Sequence, residues 1–252
     1  MVSVLRRIPP GLVSAVVALA AWQLLASYGP LSESTIPTAS ESLQSLWQLL
    51  GESSTWLALW QTLQMAVIGF VIALLIAIPV GVLIGLSRFA YMSTKFTFDF
   101  FKVIPPIVII PITILVFGPT IQMGVFLVVF AIVFALAIQT AYGVRDADPV
   151  LLDTMRAYGL GVIDQVRHGR LPSAAPFIAV GVRISATAAL IVAVVAGLIG
   201  GAPGLGRELQ IAQAGGQSAR TFALVLLLGI LGVIVSRGIT VVQRRMAFWV
   251  PV

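Results

Sequence analysis

The chain has 252 residues, of which 59% are hydrophobic and only 10% are charged. Soluble domains carry about 25% charged residues, so this composition excludes a soluble globular protein and leaves little room for a large soluble domain. The net charge of +6 does not indicate nucleic-acid binding, because the basic residues are scattered among apolar segments. The absence of cysteine excludes disulfides and thiolate metal sites.

A membrane-spanning helix needs about 20 mostly apolar residues, and six segments approach this requirement. We therefore predict one all-α membrane domain, residues 1–252, with six transmembrane helices. The predicted spans cover about 12–28, 63–86, 104–117, 121–142, 174–199 and 221–242. The third span is short, and its three prolines, which remove backbone hydrogen bonds, predict a kink. In the second span, Gly81 and Gly85 predict a helix-contact face.

The N-terminal region allows two interpretations. The first span could instead be a secretory signal, because two arginines precede its apolar core and small residues follow it; its removal would leave five spans. The loop 29–61 is predicted to contain a short amphipathic helix capped by Ser40. Trp47, Trp56 and Trp60 in this loop suit a membrane–water interface.

The distribution of basic residues predicts the orientation of the spans. With six spans, most basic residues fall on one side, at the two termini and in the second-to-third and fourth-to-fifth connections. These residues are Arg6, Arg7, Arg88, Lys95, Lys102, Arg145, Arg156, Arg167, Arg170, Arg244 and Arg245. The loop 29–61 has three glutamates and no Lys or Arg, and only Arg207 and Arg220 depart from the pattern. Because positively charged loops stay in the cytoplasm, both termini are predicted to be cytoplasmic.

Groups for catalysis or ion coupling are missing from the predicted spans. Every Asp and Glu falls in a predicted connection, and so does the only histidine, His168, which is predicted to be solvated. Intramembrane carboxylates and histidines are the usual proton relays of carriers, so their absence argues against an ion-coupled carrier and an intramembrane protease. No Gly-x-x-x-x-Gly-Lys phosphate loop is present. The chain is therefore predicted to be non-catalytic and without a metal site, and any ATP must be hydrolysed by another subunit.

The connection between the fourth and fifth spans, about 146–172, concentrates charge in a chain that has little. It contains four of the nine acidic residues. Asp148 and Pro149 predict the start of a short helix, with Asp as N-cap and Pro at the first helical position, and Gly159 or Gly161 predicts its end. A second helical piece leads to the fifth span. Two short helices across the cytoplasmic end of the molecule predict a docking surface for another protein.

The same segment resembles a loop shared by permease subunits of bacterial binding-protein-dependent ABC importers. That loop has the pattern Glu-Ala-Ala, three residues, Gly, a spacer, and then hydrophobic-x-Leu-Pro. Here Gly159 and Leu171-Pro172 match, whereas Asp153-Thr154-Met155 stands where the family has Glu-Ala-Ala. The altered triad implies a somewhat altered fit to the ATPase.

Other segments resemble the nitrate/sulfonate/taurine-type permeases of this family. They are Ile104-Pro105-Pro106, Ile110-Pro111, Leu115-Val116-Phe117-Gly118, Gly181-Val182-Arg183, Gly204-Leu205-Gly206, and Arg244-Arg245 with Trp249. The resemblance extends over most of the chain. Members often carry a glutamate near the end of the fifth span. This chain has Ala196-Gly197-Leu198 there, so no role of that glutamate carries over.

The resemblance implies the type I ABC importer permease fold and ATP-driven import of a small anion such as a sulfonate, taurine or nitrate. It implies two cytoplasmic ATPase subunits that hold ATP and magnesium, an extracytoplasmic binding protein, and a second permease copy in the bacterial inner membrane. The residues implied to contact the ATPase are Asp153, Met155, Arg156, Ala157, Tyr158, Gly159, Leu160, Gly161, Leu171 and Pro172. The candidates for the translocation path are Pro105, Pro106, Pro111 and Arg183.

Alternatives remain for the function and for single residues. The chain could be an ion-coupled secondary carrier or a non-transporting structural subunit of a membrane complex. Asp153 could pair with the ATPase or only stabilise its helix dipole, and Gly159 could admit a partner or only end a helix. Met155 and Tyr158 could contact a partner or pack under their own loop. Arg183 could attract an anion or extend to the membrane surface.

Overall fold

A computed structural model describes residues 10–28 and 36–246. Within these residues every regular element is helical, which confirms the all-α prediction. The elements are α1 (Pro10–Tyr28), α2 (Ala39–Gly51), α3 (Ser53–Leu86), α4 (Arg88–Val103), a 3₁₀ turn (Pro106–Ile109), α5 (Ile110–Phe117), α6 (Ile121–Arg145), α7 (Pro149–Ala157), α8 (Val162–Gln165), a π-helical turn (Val166–Arg170), α9 (Leu171–Gly200), α10 (Leu205–Ala214) and α11 (Ser218–Met246). Arg6, Arg7, Glu33 and Trp249 lie outside the described residues, as do the side chains of Arg244 and Arg245.

Several helices are long and apolar enough to cross a membrane. Four segments of the described chain meet this requirement: Ser53–Leu86, Ile121–Arg145, Val162–Gly200 and Ser218–Val241. A fifth is obtained if α4 and Pro106–Phe117, which are bent by 80° at their junction, form one span. The apolar stretch of α1, Val13–Tyr28, is shorter. The structure is therefore that of a multi-pass membrane protein.

The region of the third predicted span differs from the prediction. Residues 88–103, expected to be a connection, form α4. The bend of 80° follows α4 and confirms the predicted kink, since Pro105 and Pro106 cannot continue a hydrogen-bonded helix. Pro111 lies in the first turn of α5, where a missing N–H breaks no helical hydrogen bond.

The presence of helix α4 means that one carboxylate, Asp99, is not where the sequence predicted it. Asp99 was expected in a connection, but it lies on α4 and forms an ion pair with Lys102 at 2.5 Å. The expectation that Asp99 lies in a loop is therefore wrong. The pairing of the two charges within one helical turn explains how α4 can carry them in an apolar protein.

The core lies between α3, α6 and α9, and close approach of the helices depends on glycine. A Cβ atom at Gly81 would overlap the carbonyl oxygen of Ala137, and one at Gly85 would lie 2.8 Å from the Cβ of Val144. This confirms the predicted contact face on the second span. Buried side chains fill the remaining space; they include Met65, Leu127, Ile132, Leu136 and Ala193.

Helix α2 confirms the predicted amphipathic helix, but its cap is different. The N-cap is Thr38, whose side chain and backbone form a reciprocal pair of hydrogen bonds with Glu41, and Ser40 lies inside the helix. Trp47 is exposed, as an interfacial residue would be. Trp56 and Trp60, expected in the loop, lie in the first turns of α3 because this helix begins at Ser53.

The end of the molecule formed by α2 and by the starts of α3 and α11 is called here the clamped end. Glu52, between α2 and α3, accepts hydrogen bonds from Arg220 of α11 at 2.8 and 2.7 Å. These bonds hold the pKa of the Glu52 carboxyl below its usual value. Arg220 departs from the predicted charge bias, and Glu52 balances its charge locally.

Candidate functional site: the connection between α6 and α9

Residues 146–170 form the α6–α9 connection, at the end of the long helices opposite the clamped end. Its first helix, α7, begins as predicted. Asp148 is the N-cap, and its Oδ1 accepts a hydrogen bond from the backbone N–H of Val150 at 2.8 Å. Pro149 occupies the first helical position. The helix start is therefore fixed by local chemistry and does not depend on a partner.

The end of α7 has the hydrogen bonds of a Schellman motif. The N–H of Gly159 donates to the carbonyl of Arg156 at 2.9 Å, and the N–H of Leu160 donates to that of Met155 at 3.0 Å. Gly159 has a φ of +75°, which L-residues with a side chain rarely adopt. A Cβ atom there would have no described neighbour within 4 Å. Backbone conformation therefore selects glycine, and the space above it is open.

The inner face of α7 packs on the π-helical turn. Leu152 and Met155 are buried. A Cβ atom at Gly169 would lie 2.9 Å from the Sδ of Met155 and 3.4 Å from a methyl group of Leu152. Of the two interpretations of Met155, the structure supports packing under its own loop.

Further contacts join α7, α8 and α9 into one unit. Gln165 is buried, and its Nε2 donates a hydrogen bond to the carbonyl of Leu160 at 2.9 Å. The π-helical turn continues directly into α9, which begins at Leu171 and has Pro172 in its first turn. A displacement of α7 would therefore be transmitted to α9.

The base of the connection is held by close contact between α6 and α9. A Cβ atom at Gly143 would lie 2.8 Å from the Cβ of Phe177 and 3.0 Å from the Cα of Ala174. Arg170 donates a hydrogen bond to the carbonyl of Val144 at 3.4 Å. These contacts join the connection to both flanking helices.

The outer face of the connection carries exposed apolar side chains, which we call the apolar patch. Its members are Val150, Leu151, Tyr158, Leu160, Val162 and Ile163. Tyr158 is 82% exposed and Ile163 is 81% exposed. Exposed apolar groups concentrated in one surface loop mark an interaction site. Unlike Met155, Tyr158 is available to a partner.

Polar residues of the connection are exposed beside the patch. Asp153 forms an ion pair with Arg156 at 2.8 Å along the exposed side of α7, so its observed partner lies within its own helix. Ala157 and Gly161 are also exposed. The Nδ1 of His168 lies 3.3 Å from the carbonyl oxygen of Asp164. No group of side chains with metal-ligand spacing was found among the described residues.

The candidates for the translocation path lie on two separate elements. Pro105, Pro106 and Pro111 surround the bend between α4 and α5, and the first and third are exposed. Arg183 is exposed on α9, one residue from the exposed Ile184. Among the described residues, no hydrogen bond or ion pair joins Arg183 to the proline-containing turn.

The Gly204-Leu205-Gly206 motif forms a tight helix crossing. The N–H of Leu205 donates to the Oγ1 of Thr62 at 2.9 Å, and a Cβ atom at Gly206 would overlap the carbonyl oxygen of Val194. A Cβ atom at Gly197 would lie 2.9 Å from the backbone nitrogen of Arg207. The motif therefore has a packing role that its sequence alone did not indicate.

Comparison with known proteins gives consistent matches over nearly the whole chain. The family described as binding-protein-dependent transport system inner membrane component matches residues 77–248. A probable ABC transporter permease of Brucella melitensis biotype 1 is 31% identical over 240 residues, which cover 94% of this chain and 96% of that protein. The putative aliphatic sulfonates transport permease SsuC of Escherichia coli is 29% identical, over 92% of this chain and 89% of that protein.

Two further similarities are more distant. The nitrate import permease NrtB of Leptolyngbya laminosa is 23% identical, over 96% of this chain and 88% of that protein. Among solved structures, an inward-facing MetNI methionine ABC transporter chain matches with a TM-score of 0.67 and 23% identity, over 77% of this chain and 98% of that chain. At this identity the structural match shows the fold alone.

Proposed function

Because the chain belongs to the family of inner membrane components of binding-protein-dependent transport systems, we propose that it is the permease subunit of an ATP-driven importer of a small anion. The observation that carries this proposal is the apolar patch on the α6–α9 connection, since exposed apolar groups concentrated in one surface loop mark an interaction site. The chain is a non-catalytic permease component, and the proposed partner is a cytoplasmic ABC ATPase. That partner holds ATP and magnesium, and this chain binds no cofactor.

The proposed mechanism is mechanical. When two ATPase subunits close on ATP, they move the α6–α9 connections of two permease copies. Within each copy, α7 displaces the π-helical turn through the contact of Met155 with Gly169. The turn is continuous with α9, so α9 moves as well. The path between the two copies then opens to one side of the membrane at a time.

The proposed topology has six spans and two cytoplasmic termini. The spans are α1, α3, the bent pair of α4 and α5, α6, α9 and α11. This arrangement puts the α6–α9 connection in the cytoplasm with its arginines, as the positive-inside rule requires. It puts α2 and the clamped end outside, where a binding protein would deliver the substrate. The pairing of Arg220 with Glu52 offsets the one positive charge at that end of α11.

The proposed substrate is a small anion such as a sulfonate, taurine or nitrate. Relatives of this chain include putative aliphatic sulfonates, nitrate and taurine transport permeases, which supports this class. Arg183 would attract the anion, because it has no ion-pair partner among the described residues and a cation within a spanning helix is a functional candidate by default. Pro105, Pro106 and Pro111 would shape the path at the bend after α4.

The proposed contact with an ATPase is tested at Gly159. Gly159→Arg places a long charged side chain in the open space above the helix end, so it should abolish co-purification of the ATPase with the tagged chain from native membranes. Gly159→Ala is the matched control: it carries the same backbone strain, about 1 kcal/mol, without the bulk, and should retain the ATPase.

Three outcomes would contradict the proposal. If both Gly159 variants lose the ATPase equally, the glycine only ends the helix and the surface is not the contact. If vesicles that contain this chain but no ATPase still accumulate the anion, the chain is an ion-coupled carrier. A chain that purifies with membrane partners but supports no uptake with any ATPase would be a structural subunit.

A further inference from the structure

A basic cleft lies near the base of the α6–α9 connection, where it is not part of the apolar patch. The cleft has a volume of about 220 Å³ and is lined by Gly85, Leu86, Arg88, Arg145 and Arg170. The three arginines come from α4, α6 and the π-helical turn. They are far apart in sequence, so the tertiary structure brings them together. We call this feature the arginine cleft.

Within the described residues, the arginines of the arginine cleft have no ion-pair partner. None of its described lining residues is acidic, and none of its arginines belongs to the ion pairs found among the described residues. Arg145 stacks on the ring of Tyr91, 4.2 Å from the centroid, and Arg170 donates to the carbonyl of Val144. These contacts orient two guanidinium groups but do not neutralise them.

Three unbalanced cations around one cleft favour an anion. Like charges at short distance repel, and an anion between them removes the repulsion. Arg88 lies in the first turn of α4, where the unpaired N–H groups of the helix add positive potential. Guanidinium groups present N–H donors in a fork that matches the oxygens of phosphate. The chemistry of the cleft therefore selects a phosphate group.

The surroundings of the cleft indicate where this phosphate comes from. The cleft lies at the ends of α3 and α6, two helices that can span the membrane, which is the level of the lipid head groups. Exposed apolar side chains lie within four residues of its lining residues along α3 and α4: Leu83 is 66% exposed, Phe89 82% and Met92 66%. A ligand with both a phosphate and hydrocarbon chains would contact both surfaces. Basic pockets between spanning helices bind anionic head groups in this way.

We propose that the arginine cleft binds the phosphate of an anionic membrane phospholipid, whose acyl chains lie against the exposed start of α4. Since its arginines come from three elements, the bound phosphate links α4, α6 and the π-helical turn and braces the base of the α6–α9 connection. This assignment needs only that the protein is embedded in a membrane, and it does not depend on the transported substrate or on an ATPase.

The test is lipid retention by the full chain, purified in mild detergent with any subunits that accompany it. Native mass spectrometry would compare phosphatidylglycerol with phosphatidylcholine. The wild-type chain should retain phosphatidylglycerol selectively. The double variant Arg88→Gln and Arg145→Gln should reduce this retention about tenfold or more, because two charge-assisted contacts are lost. A matched double variant, Arg207→Gln and Arg237→Gln, removes two exposed charges on α10 and α11 that do not line the cleft and should retain the lipid.

The single variant Arg88→Gln keeps the experiment informative if the double variant does not fold. The Arg88 side chain has no hydrogen bond, ion pair or ring contact among the described residues, so its loss should reduce lipid retention without lowering the melting temperature. Unchanged retention in a folded Arg88→Gln variant would overturn the proposal. Equal loss in the matched double variant would overturn it too, because net charge alone would then explain retention.

Two further measurements distinguish a bound lipid from free phosphate and from a protein partner. An excess of inorganic phosphate should leave most of the phosphatidylglycerol bound, because the apolar contacts remain. Complete displacement would overturn the lipid assignment. If the cleft variants keep the lipid but lose an accompanying subunit, the cleft is a protein contact, and the proposal is also wrong.

Discussion

The two ends of the long helices are built in opposite ways. At the clamped end, Leu46 and Leu49 of α2 are buried with Leu224 and Leu227 of α11, and Arg220 is satisfied by Glu52. At the α6–α9 connection, the apolar patch has no cover within the described chain. The leucines of the clamped end thus pack within the chain, although its tryptophans Trp47, Trp56 and Trp60 are exposed, whereas the apolar patch is left to a partner. This difference indicates which residues act in stability and which in assembly.

The comparison also separates two kinds of surface within α7. Its inner residues pack on Gly169, and its outer residues are exposed, so the helix is held in place before any partner binds. A preorganised surface loses less conformational entropy when a partner binds. The α6–α9 connection is therefore suited to transmit motion, because it keeps its own shape while its outer face is contacted.

The largest expected effect is a loss of stability caused by a substitution at the clamped end. Leu49→Ala removes a side chain that is 1% exposed and should lower the free energy of unfolding by about 3 kcal/mol, since a cavity is left in a packed cluster. The melting temperature of the detergent-purified chain would measure this. Leu43→Ala, on the exposed side of the same helix, should change it little. ATPase co-purification should survive in the folded fraction of both variants.

A substitution in the apolar patch should have the opposite effect: it should weaken partner binding and leave stability unchanged. Tyr158→Ala should weaken the ATPase complex about tenfold or more, which corresponds to the loss of one aromatic contact at an interface. Its melting temperature should stay near that of the wild type, because Tyr158 is exposed in the chain alone. Dissociation constants from a pull-down titration would measure the effect. A large loss of stability with unchanged affinity would reverse the assigned roles of the two ends.

Parts of this contrast could be read from the sequence. Asp148 and Pro149 predicted the start of α7 because capping depends on adjacent residues. The pattern Thr38-x-x-Glu41 is a capping box and could have located the start of α2 more accurately than Ser40. Both signals depend only on residues that are close in sequence, so they can be recognised in a single sequence.

Other parts could not be read in this way. Helix α4 was missed because Lys95, Asp99 and Lys102 lower its average hydropathy, although they recur at helical spacing. The partner of Arg220 is 168 residues away, and no local pattern joins them. The arginine cleft likewise exists only because the fold brings three distant elements together.

The smallest expected effect concerns the ion pair at the clamped end and its dependence on pH. Hydrogen bonds from Arg220 lower the pKa of Glu52 in the folded chain. Stability from the pair is therefore present above the ordinary carboxyl pKa, about 4.3, and is lost as pH falls through the lowered folded value. Because both side chains are about one-third exposed, solvent screening limits the effect to about 1 kcal/mol or less.

Glu52→Gln isolates this contribution, because glutamine keeps the shape of the side chain and has no carboxyl to titrate. Melting temperatures measured from neutral pH down to about pH 3, below the ordinary carboxyl pKa, should converge for the wild type and the variant as the wild-type carboxyl becomes protonated. Asp153→Asn is the matched control at the other end, where the ion pair is more exposed, and its melting curve should follow the wild type closely. A constant difference between Glu52→Gln and the wild type at every pH would mean that hydrogen-bond geometry holds the clamped end, and that the carboxylate charge contributes nothing to it.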